Sequence, residues 1–271
     1  MDRARRAVDP RVVGGVRPLL ALLSAAFLGP AAAAPQGATP LPVETAQVIA
    51  SFPHDRTAFT QGLLIHDGAL YESTGRIGTS EVRRVDLNTG RVRARATLPG
   101  DDFGEGIAAH ERTLVSVTWH GGRGYRWSLP GLKRVGSFRY AGEGWGMTSN
   151  GRAIILSDGT PTLRFLDPAT LAVTRTLRVT VGGRPLPKLN ELEWVEGEIL
   201  ANIWMTPYVA RIDPTSGAVR GFLDLTPLVE RVALEDTDAV ANGIAWDAAR
   251  RKLYVTGKNW PTLFEVAWRG G

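Results

Sequence analysis

The chain has 271 residues, 44% of them hydrophobic and 22% charged, a balance that suits one large globular domain and suggests neither disorder nor a fibrous repeat. It contains no cysteine, which excludes disulfides, thiolate catalysis and Cys-ligated zinc. Five arginines and two aspartates of the first 34 residues supply three units of the formal +5, so the remainder has no concentrated basic face of the kind nucleic acid requires.

Residues 1–34 are expected to be an export signal. Arg3, Arg5, Arg6, Arg11 and Arg17 precede the apolar run Leu19 to Leu28 and the small residues Ala31 to Ala34, the order of a secretory signal peptide. Cleavage is expected near Ala33 or Ala34. The apolar run falls short of the about 20 residues that span a bilayer, so no membrane association is expected once the signal is removed. Arg5 and Arg6 read as part of an ordinary charged region rather than a twin-arginine signal. Residues 35–44 follow as a short linker, and 45–271 form the main domain.

Within that domain one pattern recurs five times. The segments are QGLLIHDGALYEST from Gln61, EGIAAHERTLVSVTW from Glu105, EGWGMTSNGRAIILSD from Glu143, NELEWVEGEILANIW from Asn190 and NGIAWDAARRKLYVTGK from Asn242. Each starts on an amide or carboxylate, runs through an apolar stretch to a turn, and returns as an alternating strand, which predicts a β-hairpin. Between them lie outer hairpins at 82–98, 124–140, 162–179 and 208–225. The starts are 44, 38, 47 and 52 residues apart, spacings that bracket the about 40–50 residues of a four-stranded propeller blade.

The fifth repeat is followed by only one strand, residues 263–268, whereas an unpaired strand at 46–52 precedes the first. Pairing the two closes a ring without free sheet edges. The fold expected is therefore an all-β, five-bladed β-propeller with ring closure between its N- and C-terminal strands. Residues 225–240 have room for one or two helical turns inserted between blades.

In a propeller the first strand of each blade lines the central channel, so Gln61, Glu105, Glu143, Asn190 and Asn242 are expected to ring one mouth. The returning strands bring Ser73, Trp119, Asp158, Trp204 and Lys258 to the same end, with Trp145 and Trp260 beside them. Polar strand starts and tryptophans have ordinary structural uses as caps and packing. Their joint concentration points to a ligand pocket, because buried amides and charges without partners are costly. His54, His66, His110 and His120 show no HExxH spacing and no GxSxG elbow occurs, which leaves zinc and Ser-His-Asp chemistry unsupported. Gly121-Gly122 and Gly182-Gly183 read as loops, and Asp86, Asp167 and Asp213 as Asx-turn residues.

The motifs Phe59-Thr60-Gln61-Gly62-Leu63, Phe103-Gly104-Glu105-Gly106, Glu143-Gly144-Trp145-Gly146, Leu189-Asn190-Glu191-Leu192-Glu193 and Gly257-Lys258-Asn259-Trp260-Pro261, one per blade and in this order, resemble the plant-type glutaminyl-peptide cyclotransferases. The resemblance runs from Val48 to Val266. It implies a five-bladed, exported enzyme that converts N-terminal glutamine to pyroglutamate with release of ammonia, without a catalytic zinc or other cofactor, although a structural calcium is compatible with it. Residue by residue, it implies Glu105 as general acid/base with Gln61, Asn190 and Lys258 as polar partners of the reacting amide. Phe59, Phe103, Trp119, Trp145 and Trp204 become the substrate-binding wall. The implied partners are peptides or proteins with N-terminal glutamine; a monomer is expected, without a sequence feature that fixes the oligomeric state.

The tethered amine and amide need only be held in ring-closing geometry. Glu105, its pKa lifted by aromatic neighbours, can shuttle the proton, and Lys258, Gln61 or Asn190 can each donate to the developing oxyanion. Two other readings stay open from the residues alone. One is a lactonase or esterase with a channel calcium held by Glu143, Asn190, Asn242 and Asp158, and the other is an exported peptide- or sugar-binding propeller without catalysis.

Overall fold

The computed structural model describes residues 40–269, and the expected export signal lies outside them. Five antiparallel sheets follow one another along the chain. Blade 1 comprises Thr60–His66, Ala69–Thr74, Glu81–Val85 and Val92–Thr97. Blade 2 comprises Gly104–His110, Thr113–Thr118, Arg123–Ser128 and Lys133–Arg139. Blade 3 comprises Met147–Ser149, Ile154–Leu156, Thr162–Leu166 and Val173–Arg178. Blade 4 comprises Leu189–Val195, Glu198–Ile203, Tyr208–Ile212 and Val219–Asp224, and blade 5 comprises Ala241–Asp247, Lys252–Gly257 and Thr262–Val266. Val48–Pro53 completes blade 5 by pairing antiparallel with Thr262–Val266, so the ring closes between the chain's two ends as expected.

Strand-by-strand burial explains the order of the layers. The first strand of blade 1 is buried on both faces through Leu64, because it faces the channel on one side and its neighbour blades on the other. The outer strand Val92–Thr97 alternates between half-buried and exposed positions, as a strand with one wet face does. A buried apolar cluster fills each of the five junctions between neighbouring blades. Leu64 and Tyr71 meet Ile107 and Trp127 between blades 1 and 2, and Leu63 and Leu70 meet Tyr254 and Leu263 across the closing junction. Asp67 and Gly68, both at positive φ, make the tight hairpin turn that their types favour.

Near the mouth the blades approach so closely that only glycine fits. A Cβ on Gly106 would stand 2.5 Å from the Met147 nitrogen, and one on Gly146 would stand 2.0 Å from the Asn190 oxygen. Blade 4 differs, because Glu191 occupies this place and its carboxylate crosses the channel to accept the N–H groups of Leu63 (3.2 Å) and Ile244 (3.0 Å). Two residues on, Glu193 accepts from Trp246 N (2.8 Å) and Thr148 Oγ1 (3.0 Å). Burial lifts both carboxyls, Glu193 to about 8.

Two features differ from the sequence expectation. Val43–Thr45, whose first two residues the sequence placed in the linker, is a strand that extends blade 4 by parallel pairing with Val219–Asp224. Between blades 3 and 4 a small hairpin, Thr180–Val181 with Arg184–Pro185, turns on Gly182-Gly183. Residues 225–240 contain the single short helix Thr226–Val232 among the described residues. The outer aspartates behave as expected: Asp86, Asp167 and Asp213 each accept nearby backbone N–H groups in Asx turns.

Candidate active site

At the channel mouth the pairing of the two inner strands slips in four blades, between Thr60 and Gly62, Gly104 and Ile107, Leu189 and Leu192, and Ala241 and Ile244. These bulges contain Gln61, Glu105, Asn190 and Asn242, and a bulge re-aims the side chain it contains. Blade 3 solves the problem differently. Its first strand begins only at Met147, and Trp145 takes the bulge position, with its carbonyl accepting from Gly106 N–H at 2.6 Å. Glu143, expected in the ring, therefore stands two residues too early, level with Phe59, Phe103, Lys188 and Val240.

The returning strands end in a second set of equivalent positions. The N–H groups of Gly75, Trp119, Trp204 and Lys258 donate to the carbonyls of Phe59, Phe103, Lys188 and Val240. Together the two sets enclose a cavity of about 350 Å³ lined by Phe59, Gln61, Phe103, Glu105, Trp119, Trp145, Asn190, Trp204 and Lys258, with Arg76, Met205 and Asp238. All nine site residues expected from sequence are in this lining. The last three were not foreseen.

The floor is polar and the wall aromatic. Gln61, Glu105, Asn190 and Lys258 are each no more than 6% exposed, whereas Trp119 and Trp204 at the mouth are 39% and 37% exposed. Asn242 is buried below the floor, where its Nδ2 donates to the Thr60 carbonyl (2.9 Å) and to Gln61 Oε1 (3.3 Å). That contact occupies the Gln61 oxygen and leaves its NH₂ as the donor on offer. Asn190 Oδ1 is buried without a partner, which makes it an acceptor awaiting a donor. Ser73 supports the floor from beneath by donating to the Glu105 carbonyl.

The aromatic wall consists of two arcs. Phe59, Phe103 and Trp119 follow one another edge to face at centroid separations of 6.2 and 5.7 Å, and Trp145 meets Trp204 at 5.6 Å and 80°. Glu143 ties the arcs together. One of its oxygens accepts both the Trp119 indole N–H (3.0 Å) and the Trp145 indole N–H (2.8 Å). Trp260, grouped with these by sequence, belongs instead to the core: it is 1% exposed and its indole donates to the Ala239 carbonyl.

Burial pushes the Glu105 carboxyl well above its ordinary value, Lys258 opposes the shift and Glu143 adds to it. Burial likewise lowers Lys258, against the attraction of Glu105 and Asp238 and with the help of Arg76. A carboxyl raised and an amine lowered by burial on one pocket floor are suited to proton transfer. The groups named for a channel calcium do not converge. Glu143 binds the indoles, Asp158 Oδ1 accepts from Thr160 N and Oγ1, and Asn242 lies below the floor, so none of the three lines the pocket with Asn190. Among the described residues no group of three or more His, Asp or Glu side chains is placed to share a metal ion.

Fold and site together define a five-bladed propeller with a pocket open at the channel mouth that pairs a buried acid and lysine with two buried amide side chains and five aromatic rings. The model of the glutamine cyclotransferase family matches residues 21–268, and the chain belongs to that family. It is 41% identical over 224 residues to the glutaminyl-peptide cyclotransferase of Arabidopsis thaliana, covering 81% of this chain and 70% of that protein. It also superposes on the crystal structure of the glutaminyl cyclase of Myxococcus xanthus with a TM-score of 0.80 and 36% identity, covering 84% of this chain and 98% of the other.

Proposed function

We propose that the protein is a glutaminyl-peptide cyclotransferase in which Glu105 moves the proton and no metal takes part. The observation that carries this reading is the buried, raised Glu105 carboxyl on the floor of a pocket whose other polar groups match a carboxamide. A primary amide offers one acceptor and an NH₂ donor. Gln61 Nε2 and Lys258 are donors for its oxygen, and the unpartnered Asn190 Oδ1 is an acceptor for an N–H.

The reaction forms a bond between the substrate's α-nitrogen and its side-chain carbonyl carbon, then breaks that carbon's bond to the amide nitrogen. Glu105 as carboxylate takes the proton that the attacking amine gives up and delivers it to the departing nitrogen, which leaves as ammonia. Negative charge on the carbonyl oxygen is met by Gln61 Nε2 and Lys258. The aromatic wall excludes water and holds the short side chain, so that the tethered reactants meet in ring-closing geometry.

The test is mass spectrometry of a glutamine-initiated peptide incubated with the purified domain and excess chelator. A loss of about 17 Da, the mass of the ammonia released, is expected. An unchanged mass with chelator that becomes a loss when metal is restored overturns the metal-free mechanism, and no loss under either condition overturns the activity. We further propose that the enzyme is exported to the periplasm or medium, on the strength of the arginine-rich, apolar and alanine-rich order of residues 1–34. N-terminal sequencing of the mature chain is expected to begin after Ala33 or Ala34, and a mature chain that retains Arg5 and Arg6 overturns it.

A further inference from the structure

Three equivalent turn positions around the mouth, each following the returning strand, are non-glycine residues in the left-handed backbone region: Arg76 at φ 110°, Met205 at 65° and Asn259 at 60°. Such a conformation costs energy for a residue with a Cβ and persists where the surroundings or a function require it. Two of the three have an evident return. Asn259 tolerates the region, and its Nδ2 reaches Asp236 at 3.3 Å. Arg76 places its guanidinium 4.3 Å over the Phe59 ring.

Met205 has no such return. It belongs to none of the buried clusters, remains 48% exposed, and nevertheless lines the pocket. Its turn is pinned by Thr206, whose N–H and hydroxyl both donate to the Ile203 carbonyl at 3.0 and 2.8 Å. The strain is thus spent on holding a flexible, apolar side chain beside the exposed Trp204 at the lip of a pocket whose floor is polar.

We infer that Met205 and Trp204 form a subsite for the side chain of the substrate's second residue, and that this subsite favours a sizeable apolar side chain. The inference rests on the proposed cyclisation reading. With the N-terminal glutamine consumed at the floor by Glu105, Asn190, Gln61 and Lys258, the chain that follows must leave through the mouth, where Trp119 offers a single exposed ring and Trp204 with Met205 a broader apolar shelf. A thioether on an unbranched stem adapts to leucine, methionine or phenylalanine alike. A glycine at the second position would leave the shelf bare.

The experiment compares kcat/KM for two short peptides, Gln-Leu and Gln-Gly at the first two positions and otherwise identical, on the wild type and on Met205→Asn. Asparagine accepts the left-handed backbone, so the variant is expected to keep the wild-type melting temperature or exceed it. The wild type should prefer the Gln-Leu peptide about tenfold, the scale of one apolar contact in a pocket. Met205→Asn should lose several-fold more on Gln-Leu than on Gln-Gly, with the difference carried by KM. Equal kcat/KM for the two peptides on the wild type, or equal losses on the variant, overturns the subsite while leaving the activity standing. A drop in melting temperature with equal losses assigns Met205 a purely structural role. If the wild type cyclises neither peptide, the activity falls and the subsite with it.

Discussion

Glu105→Gln is expected to lower kcat on a glutamine-initiated peptide by about 10²–10⁴-fold, the usual contribution of a positioned acid/base, with little change in KM. Glutamine preserves the shape of the carboxyl and cannot carry the proton. The same substitution should leave stability unchanged or raise it. A carboxyl whose folded-state pKa lies above its unfolded value stabilises the fold when protonated at low pH, and that contribution is lost as pH rises through the folded value. At neutral pH, above the ordinary carboxyl value, the wild type therefore bears the cost of holding Glu105 buried with its pKa raised, which the variant removes. Thermal melting and steady-state kinetics on one preparation separate the two effects, and near-wild-type turnover would sink the assignment.

The pH profile of the wild type carries a second signature of the same group. The reaction needs Glu105 as carboxylate and the substrate amine uncharged, so kcat/KM should climb through the raised Glu105 value. Above that range Lys258, lowered by burial, gives up its charge and weakens as a donor to the oxyanion, which bends the profile down. Because Glu105 and Lys258 influence each other, the two limbs belong to the pair rather than to either residue.

Much of this site was legible because the propeller repeats its geometry. A polar residue followed by glycine opens the inner strand in blades 1, 2 and 5, and the same bulge re-aims Gln61, Glu105 and Asn242. The pattern misled where a blade breaks it. In blade 3 the strand starts late, so the Glu-Gly of Glu143-Gly144 imitates the repeat while Trp145-Gly146 occupies its place. Arg76 and Met205 lie just beyond their repeats, by two residues and one, in turns whose meaning depends on backbone angle. Asp238 sits in the insertion between blades 4 and 5, where no period applies. Trp260 shares its hairpin with Lys258, yet it turns inward because Gly257 leaves room for its indole against the backbone, where a Cβ would meet the ring at 2.3 Å. Val43–Thr45 is too short to show alternation, and the Pro42 carbonyl that helps anchor it, accepting from Phe222 N–H at 2.9 Å, is backbone.

The closing junction contains a group of charges that no period reveals, and Glu72→Gln there is expected to destabilise the protein by about 3 kcal/mol, near the low end for breaking a buried ion pair. Glu72 is 0% exposed. Its carboxylate accepts from His54 Nε2 (3.0 Å), Thr60 Oγ1 (2.7 Å) and Arg83 Nε (2.9 Å). His54 Nδ1 faces the Trp260 carbonyl at 2.7 Å, so both ring nitrogens meet acceptors and the imidazolium is the form that satisfies both. Asp55 still pairs with Arg83 at 2.9 Å in the variant, which keeps the loss toward the lower figure. The melting temperature should fall by about 6–12 °C for a domain of this size.

Burial alone would raise Glu72, but His54 and Arg83 outweigh it and hold the carboxyl at about 2. Its contribution is present above its ordinary value near 4.5 and lost only as pH falls toward 2. Burial also opposes the charge on His54, but Glu72 outweighs it and raises the imidazole. That contribution is complete below about 6.5, the ordinary histidine value, and disappears as pH rises through the folded one. The wild-type melting temperature should therefore decline on the alkaline side as the imidazolium is lost. In Glu72→Gln, with no anion left to hold that charge, the decline should flatten, and a parallel profile in both proteins would show that His54 is not held charged. The cluster bears on the pocket from two sides, since Thr60 precedes Gln61 and the Trp260 carbonyl lies two residues beyond Lys258. The variant that loosens the ring closure should for that reason also lower kcat at temperatures where it remains folded.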